Sequence, residues 1–87
     1  YVAVSDEAIL DAIPTIAQHT GVFSEPAAAA SYAGLVEAVD QGLVDPDERI
    51  VVMLTGSGLK DIDATMKTVP EPPVIAPSLE AVKAVIK

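Results

Sequence analysis

The sequence predicts an α/β fold, with helices at about 6–19, 25–41 and 78–86 around a buried strand at about 50–54. Three observations carry that reading. Apolar residues recur at helical spacing through the first half of the chain. Ile50-Val51-Val52-Met53-Leu54 is an apolar run without alternation, the pattern of a parallel strand covered on both faces. Leu, Ile, Val and Phe together make up 26 of 87 residues, which is enough for the chain to pack rather than stay disordered.

Ser5 is a suitable N-cap for the first helix, and Asp6 and Glu7 place negative charge against its dipole. Ile9, Leu10, Ile13, Ile16 and Ala17 form the apolar stripe, and Gly21 is placed to end the helix in a left-handed conformation. Pro14 removes one backbone donor and crowds the Leu10 carbonyl, so a kink or an early end is expected there. Ser24-Glu25-Pro26 starts the second helix, with proline where its missing N–H costs nothing. Ala27 to Ala30 has the strongest helix propensity available. With Ala28, Ala29, Ala33 and Val36 on its remaining faces, this helix is expected to be buried nearly all round, until Gly42 and Leu43 cap it.

Asp45-Pro46-Asp47 reads as a turn into the strand. No partner strands follow within the chain, and the sequence opens Tyr1-Val2-Ala3-Val4 without an initiator Met. Both features create the expectation that the rest of a parallel sheet lies on polypeptide not included here. After Thr55-Gly56-Ser57-Gly58 a short helix is expected beyond Asp61. Pro70, Pro72, Pro73 and Pro77 then make 69–77 an extended arm, and Ser78 caps a last amphipathic helix with Lys83 and Lys87 in its final turn. The expected division is therefore a packed unit at 1–69 and a proline-rich arm with a terminal helix at 70–87.

Composition narrows the chemistry. A net charge of −8 would repel a phosphate backbone, which argues against nucleic acid. The absence of cysteine removes disulfides, thiolate metal sites and a Cys nucleophile, and a single His rules out a multi-His metal site within the chain. No apolar run is long enough to span a bilayer, so a cytoplasmic setting is expected.

Thr55 with Gly56-Ser57-Gly58 is the leading candidate site, because ligands in open α/β sheets sit beyond the carboxyl ends of strands. There, glycines let the backbone approach and hydroxyls can point at the ligand. A lone Gly-x-Gly turn is also a common strand-to-helix connection, and the spacing to Lys60 is wrong for a P-loop. Glu25-Pro26-Ala27 is the second candidate: its carboxylate is either a charge at a helix start or the edge of a pocket against which small alanines would let a flat ring lie. His19 reads as a last-turn residue and Lys60 as a solvated amine beside Asp61. Asp45, Asp47 and Glu48 lack the ligand spacing of a calcium loop.

Taken together, Val4-Ser5-Asp6-Glu7, Gly21-Val22-Phe23-Ser24-Glu25-Pro26-Ala27 and Leu54-Thr55-Gly56-Ser57-Gly58-Leu59-Lys60-Asp61 resemble the C-terminal part of threonine synthases. These are pyridoxal-phosphate lyases of amino-acid biosynthesis with the tryptophan-synthase-β-like fold. The Glu-Pro-Ala block is shared with threonine and serine dehydratases, whereas Thr-Gly-x-Gly-Leu-Lys-Asp points more narrowly to threonine synthase. The resemblance implies conversion of O-phospho-L-homoserine and water to L-threonine and phosphate. It also implies that Thr55 hydrogen-bonds the pyridine nitrogen of pyridoxal 5'-phosphate, that Gly56 and Gly58 give Thr55 its direction, and that Glu25 and Ala27 form pocket wall.

The Schiff-base lysine and the glycine-rich phosphate cup of that family have no counterpart in the chain, and Lys60 belongs to the downstream motif. The chain alone is therefore expected to be inactive and to need the remainder of a parent enzyme, itself expected to be a homodimer. Two alternatives are a segment of a threonine or serine dehydratase, and a non-catalytic acidic module that docks a partner through its arm and last helix.

Overall fold

Helix α1 (Asp6–Thr20) begins where Ser5 Oγ accepts from the Ala8 amide at 3.1 Å. It ends at Gly21, whose φ of +75° is the left-handed conformation that glycine adopts without penalty, with its N–H donating to the Ala17 carbonyl. Helix α2 (Pro26–Asp40) closes with Gly42 at φ +70°. The Gly42 amide donates to the Val39 carbonyl and the Leu43 amide to the Ala38 carbonyl, the paired bonds of a Schellman cap. The computed structural model describes residues 1–86; the expected contribution of Lys87 to the last helix lies outside the described residues.

α1 and α2 pack on each other through Ala12, Ile13, Ile16, Ala29 and Ala33, with Val4, Ile9, Leu10, Phe23, Tyr32 and Leu54 completing the cluster. With alanines on the facing side of α2, the core is shallow and built largely from small side chains. Pro14 does not end α1, which runs unbroken through it. One lost backbone bond is outweighed by the packing of Ala12, Ile13 and Ile16 on either side of it. The expectation that α2 is buried all round is corrected: Ala28, Ala29 and Ala33 are covered, but Ser31, Val36 and Val39 are exposed, because α1 covers one face and no helix of comparable length packs on the other among the described residues.

The predicted buried strand at 50–54 is likewise corrected. Among the described residues there is no strand, and Val51 and Met53 remain 87% and 70% exposed. A strand needs a neighbour to take its N–H and C=O groups, and no second β-segment lies alongside. What the chain offers is one side-chain bond, Ser31 Oγ to the Met53 carbonyl at 3.2 Å, and a seat for Leu54 on the helical core.

Beyond this segment a 3-10 turn (Gly58–Lys60) leads to the short α3 (Ile62–Met66), where Asp61 accepts from the Ala64 amide at 3.0 Å. Residues 70–77 have no helix or strand and are exposed, and α4 (Leu79–Val85) starts at the Ser78 cap as predicted. The accessible surface is 6736 Å², against roughly 4,850 Å² for a compact monomer of this mass. The excess is the uncovered surface of α2, the extended segment and the tail.

Candidate functional site

The two candidate motifs meet in space. Ser24 and Ser57 form an isolated antiparallel bridge, flanked by the Glu25 amide donating to the Gly56 carbonyl at 3.0 Å and the Gly58 amide donating to the Phe23 carbonyl at 3.1 Å. Phe23 therefore stands opposite Gly58 and Glu25 opposite Gly56. A Cβ added at Gly56 would strike the Glu25 carboxylate, and one added at Gly58 would strike the Phe23 ring. Neither glycine has a positive φ. The glycines are needed here for space, and the groups that approach them are protein side chains.

Glu25 occupies the N-cap position of α2 but makes no capping bond. Its carboxylate turns instead to Lys60, with Nζ to Oε1 at 3.5 Å; the Glu25 side chain is largely covered and that of Lys60 is 64% exposed. Ser57 Oγ accepts from the Leu59 amide at 3.3 Å and shapes the start of the 3-10 turn. Ser24 is fully buried, and its hydroxyl has no hydrogen-bond partner among the described residues.

Thr55 immediately precedes this bridge, is exposed, and makes no side-chain hydrogen bond among the described residues. Ala27 is exposed in the first turn of α2. Of the predicted site residues, the structure thus brings Glu25 and Gly56 into direct contact, sets Thr55 next to Gly56 in the chain, and leaves Ala27 in the first turn of α2, two residues after Glu25. Ala27 instead borders a cleft of about 320 Å³ with Pro26, Ala30, Asp61 and Lys67. His19 is exposed at the end of α1 and borders a small cleft of about 200 Å³ with Tyr32 and Leu54.

Three roles in this arrangement were not predicted from sequence: Phe23 against Gly58, Ser24 as the buried bridge residue, and Lys60 as the partner of Glu25. A signal was present. Bulky residues at 23 and 25 and glycines at 56 and 58 share a two-residue period, the complementarity expected of two paired extended segments.

The family model described as "Pyridoxal-phosphate dependent enzyme" matches residues 1–56. The chain is 44% identical to the threonine synthase of Methanocaldococcus jannaschii over 85 residues, covering 98% of this chain and 21% of that protein. It is 49% identical to the threonine synthase of Mycobacterium bovis over 70 residues, 80% of this chain and 19% of that one. It is 43% identical to the threonine synthase of Halalkalibacterium halodurans over 77 residues, 88% of this chain and 22% of that one. The chain spans about a fifth of the length of the curated relatives it matches.

Proposed function

The chain belongs to the pyridoxal-phosphate-dependent enzyme family, and from that premise we propose that it is a segment of a threonine synthase that converts O-phospho-L-homoserine and water to L-threonine and phosphate. The observation that carries the reading is the reach of the likeness to threonine synthases over nearly the whole chain. It takes in the Leu54–Asp61 block as well as the more widely shared Glu-Pro-Ala block. On this reading residues 1–69 are part of the enzyme's α/β domain, and 70–87 are an arm and terminal helix packed elsewhere on it. Ile50–Leu54 becomes a strand of a parallel sheet completed by the remainder of the enzyme; the exposed side chains of Ile50, Val51 and Met53, and a backbone whose partner among the described residues is the Ser31 hydroxyl, support this.

The residues present fit the cofactor. The Thr55 hydroxyl is uncommitted and sits at the carboxyl end of an extended apolar segment, and it offers a neutral donor of the kind a pyridine nitrogen accepts. When bound, pyridoxal phosphate supplies the electron sink for the bond changes at the amino-acid carbons. Thr55 would hold the ring nitrogen while keeping its own proton on Oγ1, which moderates that sink relative to a carboxylate partner. Gly56 keeps the turn close to Glu25, and Glu25 and Ala27 form the adjoining wall. Since Thr55 is exposed here, the walls that exclude water from it come from the remainder of the enzyme, whose setting is a cytoplasmic homodimer acting on a small-molecule substrate.

The test is Thr55→Asp in the full-length protein. The variant is expected to keep its fold, which an unchanged circular-dichroism spectrum checks. A carboxylate would protonate the ring nitrogen, and threonine formation from O-phosphohomoserine is expected to fall on the order of 10²-fold, the scale of a misplaced proton-transfer group. Unchanged turnover would remove Thr55 from this role. Deamination of threonine by the unsubstituted protein, without use of O-phosphohomoserine, would favour a dehydratase instead.

A further inference from the structure

We infer that Glu25 is a positioning residue. With Lys60 it closes a clasp around the 56–60 turn that fixes the direction of Thr55, so that its carboxylate acts through the turn while the residue stands in the pocket wall. The inference rests on the Thr55 reading above.

Three independent features converge on Glu25. Its backbone amide donates to the Gly56 carbonyl at 3.0 Å, which sets the register of the turn against the α2 entry. Its side chain lies where a Gly56 Cβ would be, so the residue bonded to Thr55 is pressed between its own backbone partner and that carboxylate. Its Oε1 pairs with Lys60 at 3.5 Å, at the end of the 3-10 turn that begins two residues after Gly56. One side chain thus spans the turn from its entry to its exit. On the other side of Ser57 the Phe23 ring covers Gly58, so both flanks of the turn are held, and Thr55 is the first residue outside the clasp. A carboxylate already committed to Lys60 and not used as a helix cap has its chemistry accounted for within the protein.

A double-mutant cycle in the full-length protein separates this role from direct contact. Glu25→Gln, Lys60→Met and the double variant are compared by hydrogen exchange of peptides covering 22–28 and 55–61 without cofactor, and by the equilibrium affinity for pyridoxal phosphate. Each single variant is expected to raise exchange in both peptides and weaken cofactor affinity by about two- to fivefold, the range of a partly exposed ion pair. The double variant is expected to be no worse than either single, and Lys60→Arg to restore both readouts. Unchanged exchange in Lys60→Met would overturn the clasp. So would additive losses of affinity, which would mean that Glu25 acts on the cofactor independently of Lys60. Thr55→Val distinguishes failure of the underlying reading: if affinity stays put in that variant while the exchange cycle remains non-additive, the clasp stands and the assignment of Thr55 falls.

Discussion

Residues 12–33 and residues 50–54 both contribute apolar side chains, yet those side chains end in opposite surroundings. The first stretch supplies Ala12, Ile13, Ile16, Ala28, Ala29 and Ala33, all buried; the second leaves Ile50, Val51 and Met53 exposed. The difference lies in the backbone. A helix satisfies its own N–H and C=O groups, so a second helix is enough to bury its apolar face. An extended segment needs strands on its edges before its side chains can be covered, and among the described residues none lies beside 50–54.

The sharpest way to break the comparison is to truncate one residue from each region. Ile13→Ala removes a fully covered side chain from the α1–α2 contact and is expected to lower unfolding free energy by about 2–5 kcal/mol in denaturant titrations. Met53→Ala is expected to change the 87-residue chain by less than about 0.5 kcal/mol, the range of ordinary surface substitutions. In the full-length protein the same change is expected to cost about 2–5 kcal/mol if the segment has become a covered strand. Equal, small effects in both settings would show that 50–54 stays uncovered.

The two glycines of the turn give an intermediate case, because they face side chains of different stiffness. Gly58→Ala drives a methyl into the Phe23 ring, which is packed on the core and has little room to move, and about 1–3 kcal/mol of destabilisation is expected. Gly56→Ala meets the flexible end of Glu25, which can swing aside at the cost of its Lys60 pair. Thermal unfolding of the two variants should therefore rank Gly58→Ala well below Gly56→Ala. The reverse order would mean that the carboxylate contributes more to the stability of the turn than the ring does.

Helix positions, caps and the proline-rich stretch were legible from sequence because each depends on neighbours within a few residues: Ser5, Gly21, Pro26, Gly42, Asp61 and Ser78 all act where the local rules place them. The environment of 50–54 was not legible, since an unalternating apolar run states what a segment requires and not whether the chain supplies it. The site was half legible. Thr55-Gly56 and Glu25 stood out as motifs, but the reason for the glycines did not: they make room for residues about 30 positions earlier, a relation fixed only once Ser24 and Ser57 are paired. The same long-range pairing hid Phe23, which local rules mark only as an apolar residue near a helix start.

Ser24 offers the smallest expected effect and the finest distinction between what the chain completes alone and what it does not. It lies at the junction of the two regions, buried and paired through its backbone neighbours, yet its hydroxyl has no partner among the described residues. A buried hydroxyl without a hydrogen bond costs stability, whereas a methyl of nearly the same shape does not. In the 87-residue chain Ser24→Ala is therefore expected to stabilise by up to about 1 kcal/mol, read as a higher denaturant midpoint at unchanged slope. In the full-length protein the sign is the informative quantity. Stabilisation there too would mean that the hydroxyl stays orphaned, while destabilisation would mean that polypeptide beyond this segment supplies its partner, as proposed for Ile50–Leu54.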